Sequence, residues 1–176
     1  MALRSGRAIR FNESTVRPMG RTATGVRGVT LASDKDEVVG MIAINNPEVT
    51  VLVVSENGYG KRTDIEDYRV TNRGGKGVKT INVTDKTGEL VAIKDVTDND
   101  DLMIINKSGI VIRIGVSDLR VMGRATQGVR LITLKGDDSI ASIAKVEHEE
   151  EEDEIAEDGT IIEGTPEAED QTPETE

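Results

Sequence analysis

Twelve of the chain's 22 Lys and Arg residues fall into four columns that recur at offsets of 52 and then 51. They are Arg10, Arg62 and Arg113; Arg17, Arg69 and Arg120; Arg21, Arg73 and Arg124; and Arg27, Lys79 and Arg130. Evenly spaced cations beside glycines are suited to holding a polyanion backbone. Glycine permits close approach, exposed amides donate to phosphate oxygens, and a guanidinium pairs with phosphate through two parallel bonds. The candidate contacts are therefore Arg10, Arg21, Arg27, Arg62, Arg73, Lys79, Arg113, Arg124 and Arg130, together with Lys76 from a glycine-rich loop. A plainer use competes at each column. Arg10, Arg62 and Arg113 could solubilise a strand edge. Arg17, Arg69 and Arg120 could equally pair with Glu13, Asp67 and Asp118, and are left out of the set for that reason.

Little else could do chemistry. The chain has no cysteine, which excludes disulfides and thiolate metal sites. Its only histidine, His148, sits in an acidic run and reads as a solvated tail residue. Tyr59 aligns with Arg7 and Ile110, and Tyr68 with Val16 and Leu119. These are ordinary strand positions, so neither tyrosine is expected to be a nucleophile. No catalytic residue and no metal site is expected. An enzyme ranks last among the function classes, behind a DNA-holding module and a propeller-type protein-interaction scaffold. Nothing resembles a recognition helix or an aromatic stacking platform, so the expected mode is phosphate contact without base reading.

The elements that position the columns follow from the repeat itself. Ser5-Gly6-Arg7-Ala8-Ile9-Arg10 returns as Asn57-Gly58-Tyr59-Gly60-Lys61-Arg62 and as Ser108-Gly109-Ile110-Val111-Ile112-Arg113. Met19-Gly20-Arg21 through Gly25-Val26-Arg27 returns as Met122-Gly123-Arg124 through Gly128-Val129-Arg130, with Thr71-Asn72-Arg73-Gly74-Gly75-Lys76-Gly77-Val78-Lys79 between them. Each unit reads as four strands. Val49–Val54 and Leu102–Ile105 are continuous apolar runs, which suit strands buried on both faces. The Asn-Gly or Ser-Gly pair supplies the positive φ of a hairpin turn. In the return strand, Ile110, Ile112 and Ile114 share one face while Arg113 points to the other. A third strand starts at Gly25, Gly77 or Gly128, and a fourth spans Val38–Ile44, Leu90–Val96 or Ile140–Val146. Four short strands in about 50 residues is the size of a propeller blade. The fold expected is all-β, with about three blades near 1–44, 45–96 and 97–146. The first blade lacks its opening strand. A neighbour could supply it, but the reading favoured is that the chain is the C-terminal piece of something longer.

Composition divides the chain in two. The net charge of −11 averages a body, residues 1–146, with all 22 basic residues against 18 acids, and a tail, residues 147–176, with 15 acids and no Lys or Arg. The tail has too little apolar surface to offset the entropy of ordering and is expected to be disordered. It either keeps a basic body soluble or competes with DNA for its cations. With only Phe11, Tyr59 and Tyr68 as aromatics, the core must be aliphatic. No signal peptide or 18-residue apolar run is present, so a cytoplasmic location without membrane contact is expected.

The segments Arg10-Phe11 through Val26-Arg27, Asn57 to Arg62, and Gly123-Arg124 through Gly128-Val129 resemble the last repeats of the DNA gyrase A C-terminal domain, part of the bacterial type II topoisomerases. The likeness covers about residues 1–146, with an acidic tail after the last repeat. It implies a β-pinwheel, a six-bladed propeller relative whose neighbouring blades exchange strands and whose basic rim is wrapped by double-stranded DNA. It also implies two partners in an ATP-dependent supercoiling enzyme, the gyrase B protein and the remainder of the gyrase A protein. ATP and magnesium are then used elsewhere in that enzyme, with no cofactor here. The corresponding domain of topoisomerase IV is the nearest rival. Two departures stand out: about three of six blades are present, and the family's Gln-Arg-Arg-Gly-Gly-Lys-Gly heptapeptide survives only as the partial echo Thr71 to Gly77.

Overall fold

The computed structural model describes residues 1–148. The tail from Glu149 onward, and with it both readings of that tail, lies outside the described residues. Eleven strands form: β1 (Ala2–Leu3), β2 (Arg7–Ala8), β3 (Val38–Gly40), β4 (Thr50–Ser55), β5 (Tyr59–Asp64), β6 (Val78–Lys79), β7 (Leu90–Val96), β8 (Asp100–Asn106), β9 (Val111–Gly115), β10 (Val129–Arg130) and β11 (Ile140–Glu147). The hairpins joining β1–β2, β4–β5 and β8–β9 turn on Gly6, Gly58 and Gly109, with φ of 78°, 79° and 88°, the left-handed region that the Ser-Gly and Asn-Gly pairs announce.

The sheets do not follow the repeats. Their strand orders are β3-β1-β2-β6, β10-β5-β4-β7 and β11-β8-β9. The third strand of repeats two and three is thus given to the sheet before it: β6, from repeat two, edges the first sheet, and β10, from repeat three, edges the second. The register repeats as well. Lys79 pairs with Arg7 and Val78 with Ala8, as Arg130 pairs with Tyr59 and Val129 with Gly60. The arriving strand turns on Gly77 (φ 68°) or Gly128 (φ 81°), where a Cβ would overlap the carbonyl of Ala8 or Gly60. Only glycine combines that backbone conformation with that approach.

Each gap between sheets is filled by an aliphatic core. Val51 and Val53 of β4 face one core with Ala2, Ala8, Ile65, Tyr68, Ile81, Leu90 and Ile93. Leu52 and Val54 of the same strand face a second core with Val96, Leu102, Ile104, Val116, Leu119, Ile140 and Ile143. Val49–Val54 is therefore buried on both faces, as its unbroken apolar run requires. The similar run Leu102–Ile105 departs from expectation. Leu102 and Ile104 are fully buried, but Met103 and Ile105 are only half-buried, because no fourth sheet covers the far side of the third among the described residues. The closing strands β3, β7 and β11 lie against one another, β7 touching both of its counterparts, so β6 and β10 form the opposite, outer edges.

Three boundaries move. Repeat one does have an opening strand: Ala2–Leu3, two residues long and aligned with the end of β4. The closing strand expected over Val38–Ile44 stops at Gly40, since only those two residues are there to pair with it. At the other end, Glu147 pairs with Asp100 and the His148 backbone N–H donates to the Asn99 carbonyl (3.1 Å). Glu147 thus belongs to the last sheet rather than to a tail, and His148 is held against that sheet's edge.

If the glycine crossings hold the sheets together, Gly77→Ala and Gly128→Ala should each destabilise the fold by about 2 kcal/mol or more, combining strain with a steric clash. Gly123→Ala, whose added methyl meets nothing within 4 Å, should change stability by less than about 0.5 kcal/mol. Equilibrium urea unfolding measures all three.

Candidate nucleic-acid interface

The four basic columns separate by what their side chains touch. The column of Arg10, Arg62 and Arg113 points between sheets. Arg10 Nη1 donates to the carbonyls of Ile65 (2.9 Å) and Tyr68 (3.1 Å) and lies 3.6 Å from a Glu66 carboxylate oxygen. One repeat later, Arg62 donates from Nε to the Leu119 carbonyl and from Nη1 to Asp98, and is 8 % exposed. In both, a guanidinium of one repeat closes a turn of the next, a 3-10 turn at Ile65–Asp67 for Arg10 and the turn before Leu119 for Arg62, and the backbone follows: Thr71 N–H donates to the Arg10 carbonyl and Met122 N–H to the Arg62 carbonyl, both at 2.9 Å. Arg10 and Arg62, expected among the phosphate contacts, thus have donors engaged in clamping neighbouring repeats.

Arg113 has no following repeat to clamp among the described residues. Its Nε donates instead to Asp101 (2.7 Å), and its side chain stays 44 % exposed. Asp101 also meets His148 Nδ1 at 3.0 Å. Burial alone would raise the Asp101 carboxyl, but Arg113 and His148 beside it hold it below the usual carboxylate range. His148, read as a tail residue, is half of this pair.

The other three columns lie in the loops that carry the exchanged edge strands. Residues 17–30, 69–82 and 120–133 hold Arg17, Arg21, Arg27, Arg69, Arg73, Lys76, Lys79, Arg120, Arg124 and Arg130, ten cations without a single Asp or Glu. None of the ten lies within 4.0 Å of a carboxylate oxygen among the described residues. All are exposed except Arg73 and Arg124, which are half-buried. Arg17, Arg69 and Arg120 do not form the ion pairs that had kept them out of the candidate set, so they join it. The signal that would have found them is the acid-free window, which is readable from sequence alone.

Neighbouring loops interlock. Arg73 Nε donates to the Thr15 carbonyl (3.0 Å) and Nη1 to the Arg27 carbonyl (3.1 Å), while Arg124 Nη1 donates to the Lys79 carbonyl (3.1 Å). Each half-buried arginine of one repeat is thereby fixed beside an exposed cation of the repeat before it. Lys79 Nζ reaches Asn82 Oδ1 (3.2 Å), and Arg130 donates to the Tyr59 hydroxyl from Nη2 (2.8 Å) while stacking 5.4 Å from that ring's centre. Hydrogen bonding by Arg130 holds the Tyr59 phenol below its ordinary range, burial notwithstanding. Arg7, outside the four columns, donates from Nε and Nη2 to the Lys76 and Gly77 carbonyls (2.9 and 2.8 Å) and so braces the crossing.

The acids of the body serve elsewhere. Asp36 accepts from the Ser5 backbone N–H (2.9 Å) and hydroxyl (2.7 Å), and Asp138 from the same two groups of Ser108 (3.2 and 2.8 Å). They lock the hairpin turns and leave the outer loops positive. Among the described residues no cluster of three potential ligands could hold a metal ion.

Removing the inter-repeat clamp should be costly where it is buried. Arg62→Ala should lower unfolding free energy by about 2–3 kcal/mol, the usual loss for charge-assisted hydrogen bonds. Arg113→Ala, whose half-exposed guanidinium leaves Asp101 still paired with His148, should cost less than Arg62→Ala. A second check lies in Lys61, which is buried beneath the loop of the next repeat and donates to the Gly123 carbonyl (2.6 Å) and Thr126 Oγ1 (3.2 Å). Burial pushes its ammonium down to about 8. The unfolded chain keeps that proton up to about 10.4, so Lys61 should add stability as pH rises from about 8 towards 10.4. An NMR titration of Nζ should show the low midpoint.

Comparison with known proteins agrees with the geometry. The family model described as DNA gyrase C-terminal domain, beta-propeller, matches residues 4–45, 50–97 and 100–147. The DNA gyrase A protein of Staphylococcus aureus strain MRSA252 is 51% identical over 172 residues, covering 94% of this chain and 19% of that protein. Its counterpart from strain NCTC 8325 is also 51% identical, over 175 residues, with 94% of this chain and 20% of that protein covered. The chain thus spans about a fifth of the length of these relatives. Among solved structures, a DNA gyrase A C-terminal domain superposes with a TM-score of 0.73 at 29% identity, covering 81% of this chain and 48% of that one. The C-terminal domain of a DNA topoisomerase IV gives a TM-score of 0.77 at 22% identity, with 83% and 45% covered. Three matched units in succession, the second and third each lending an edge strand to the one before, place this chain in the DNA gyrase C-terminal domain family of β-propellers.

Proposed function

We propose that the chain holds duplex DNA by its phosphates, without reading sequence, as the DNA-wrapping module of a gyrase A protein. The observation that carries this reading is the contiguous outer strip of ten cations, free of carboxylates and linked loop to loop by Arg73 and Arg124. Phosphate contact needs charge in register and nothing more, and the repeat supplies it at each loop. The gyrase assignment is favoured over topoisomerase IV by 51% identity to gyrase A across nearly the whole chain. In that setting the partners are the gyrase B protein and the remainder of the gyrase A protein, and the place of action is the nucleoid in the cytoplasm. Strand cleavage, ATP and magnesium belong to other parts of the enzyme, and this chain contributes the bending of DNA that precedes supercoiling.

Binding to a random-sequence duplex should weaken steeply with salt, by about 0.9 in log–log slope for every phosphate neutralised. Replacing Arg17, Arg69 and Arg120 together by Ala should therefore reduce the slope by about 2–3 and leave stability unchanged, since no carboxylate pairs with them. Replacing Lys35, Lys86 and Lys135, which lie outside the acid-free loops, should leave the slope as it is. Fluorescence anisotropy between about 50 and 200 mM salt measures both. Equal effects of the two triples would remove the special standing of the outer strip.

A further inference from the structure

The two joints between repeats are tied alike on the outside and closed differently underneath. On the outside, Arg73 donates to the Arg27 carbonyl at the first joint and Arg124 to the Lys79 carbonyl at the second. Likewise, the Thr30 N–H donates to the Gly75 carbonyl (2.9 Å) and the Asn82 N–H to the Thr126 carbonyl (3.0 Å). Beneath the loop the repeat breaks. Ile9, Lys61 and Ile112 share one column. At the first joint Ile9 is buried with Leu3 and Val29, and a methyl added to Gly75 above it would lie 3.5 Å from its Cδ1. At the second joint Lys61, 1 % exposed, takes the place of Ile9, and Thr126 takes the place of Gly75. The lysine and the threonine arrive as a pair. Lys61 Nζ donates to the Gly123 carbonyl and to the Thr126 hydroxyl, and that hydroxyl donates to the same carbonyl (3.0 Å).

Burying an ammonium is costly where isoleucine serves elsewhere, so packing alone does not account for Lys61. Across the sheet its partner on β4 is the apolar Val53. Burial chiefly lowers its ammonium; Asp67 of the 3-10 turn opposes that, and Arg124 of the overlying loop adds to it. Arg124 belongs to the outer cation strip, so an anion that meets Arg124 is felt by Lys61. We infer that Lys61 is a positioning residue for the DNA contact of repeat three, and that this joint couples phosphate contact to uptake of a proton from solvent. The inference rests on the phosphate-contact reading above. A phosphate on Arg124 offsets the repulsion at Lys61, whose Nζ then holds its proton more firmly. By linkage, the protonated pin strengthens phosphate contact to the same degree. The charged Nζ also makes the bond to the Gly123 carbonyl (2.6 Å) a charge-assisted one, about twice as strong as its neutral equivalent. It thereby holds the loop that carries Arg124 and Arg130. With Ile9 beneath it, the loop of the first joint has no such response.

The test measures the affinity of the 176-residue chain for a random-sequence duplex at one low salt concentration. The pH runs from about 7 to about 9.5, the range over which Lys61 loses its proton. Across it, the wild type should lose about fivefold more affinity than Lys61→Met. The Met1 amino group and the Tyr59 phenol, both held below their ordinary values, are common to the two proteins, so the difference belongs to Lys61. Lys61→Ile with Thr126→Gly copies the apolar pair of the first joint. It should show the same flattened profile and stands in if Lys61→Met does not fold. By NMR, saturating duplex should move the Lys61 Nζ midpoint of the wild type upward. Salt-steep binding with parallel pH profiles in wild type and variants, or a midpoint that duplex leaves unmoved, overturns the inference and spares the phosphate reading. Binding that is indifferent to salt overturns both.

Discussion

The passage of each third strand onto the sheet before it is the constraint on which the remaining structure depends. At the crossing the chain must run against the Ala8 or Gly60 carbonyl in a left-handed conformation, and glycine alone permits both. Once across, β6 and β10 become the outer edges of sheets they do not belong to in sequence. Two consecutive repeats then cannot separate without losing a strand from one of them. The clamps of Arg10 and Arg62, the latter buried, and the pin of Lys61 all span this same joint. The aliphatic cores between sheets, built with almost no aromatic surface, are closed by these polar ties as well as by apolar contact.

The exchange also decides where charge lies. Because each loop is drawn along the edge of the neighbouring sheet, its cations are carried to the outer rim, and the carbonyls of one loop fall beside the arginine of the next. Carboxylates are held at the hairpin turns, where Asp36 and Asp138 cap the Ser-Gly pairs. The segregation is physical as well as compositional: acids in the outer loops would neutralise arginines that here remain unpaired. A protein with ordinary mixed surface charge would hold duplex DNA less well on the same scaffold.

The blades, their hairpins and the two-faced burial of Val49–Val54 were legible in the sequence, since period, turn chemistry and apolar runs are local properties. The exchange itself was not. Nothing in Gly77-Val78-Lys79 says which sheet it joins, and only the family resemblance pointed to exchange. The same limit hid the inter-repeat contacts of Arg10 and Arg62. Their column looks no different from that of Arg17, Arg69 and Arg120, yet one set is turned inward onto carbonyls of the next repeat and the other is left in solvent. Side-chain direction at a joint between repeats is a tertiary property. The acid-free loops, by contrast, were visible in the sequence itself. His148 was assigned by the composition of its neighbours, whereas Asp101, distant in sequence, fixes its place.

Amide hydrogen exchange with and without a duplex of about 40 base pairs tests the central claim most directly, because it reports which face meets DNA without altering the protein. The account predicts added protection in residues 17–30, 69–82 and 120–133, and none at the hairpin-capping turns 32–37, 84–89 and 135–139. Protection concentrated at those acidic turns, or spread evenly over all three sheets, would contradict it.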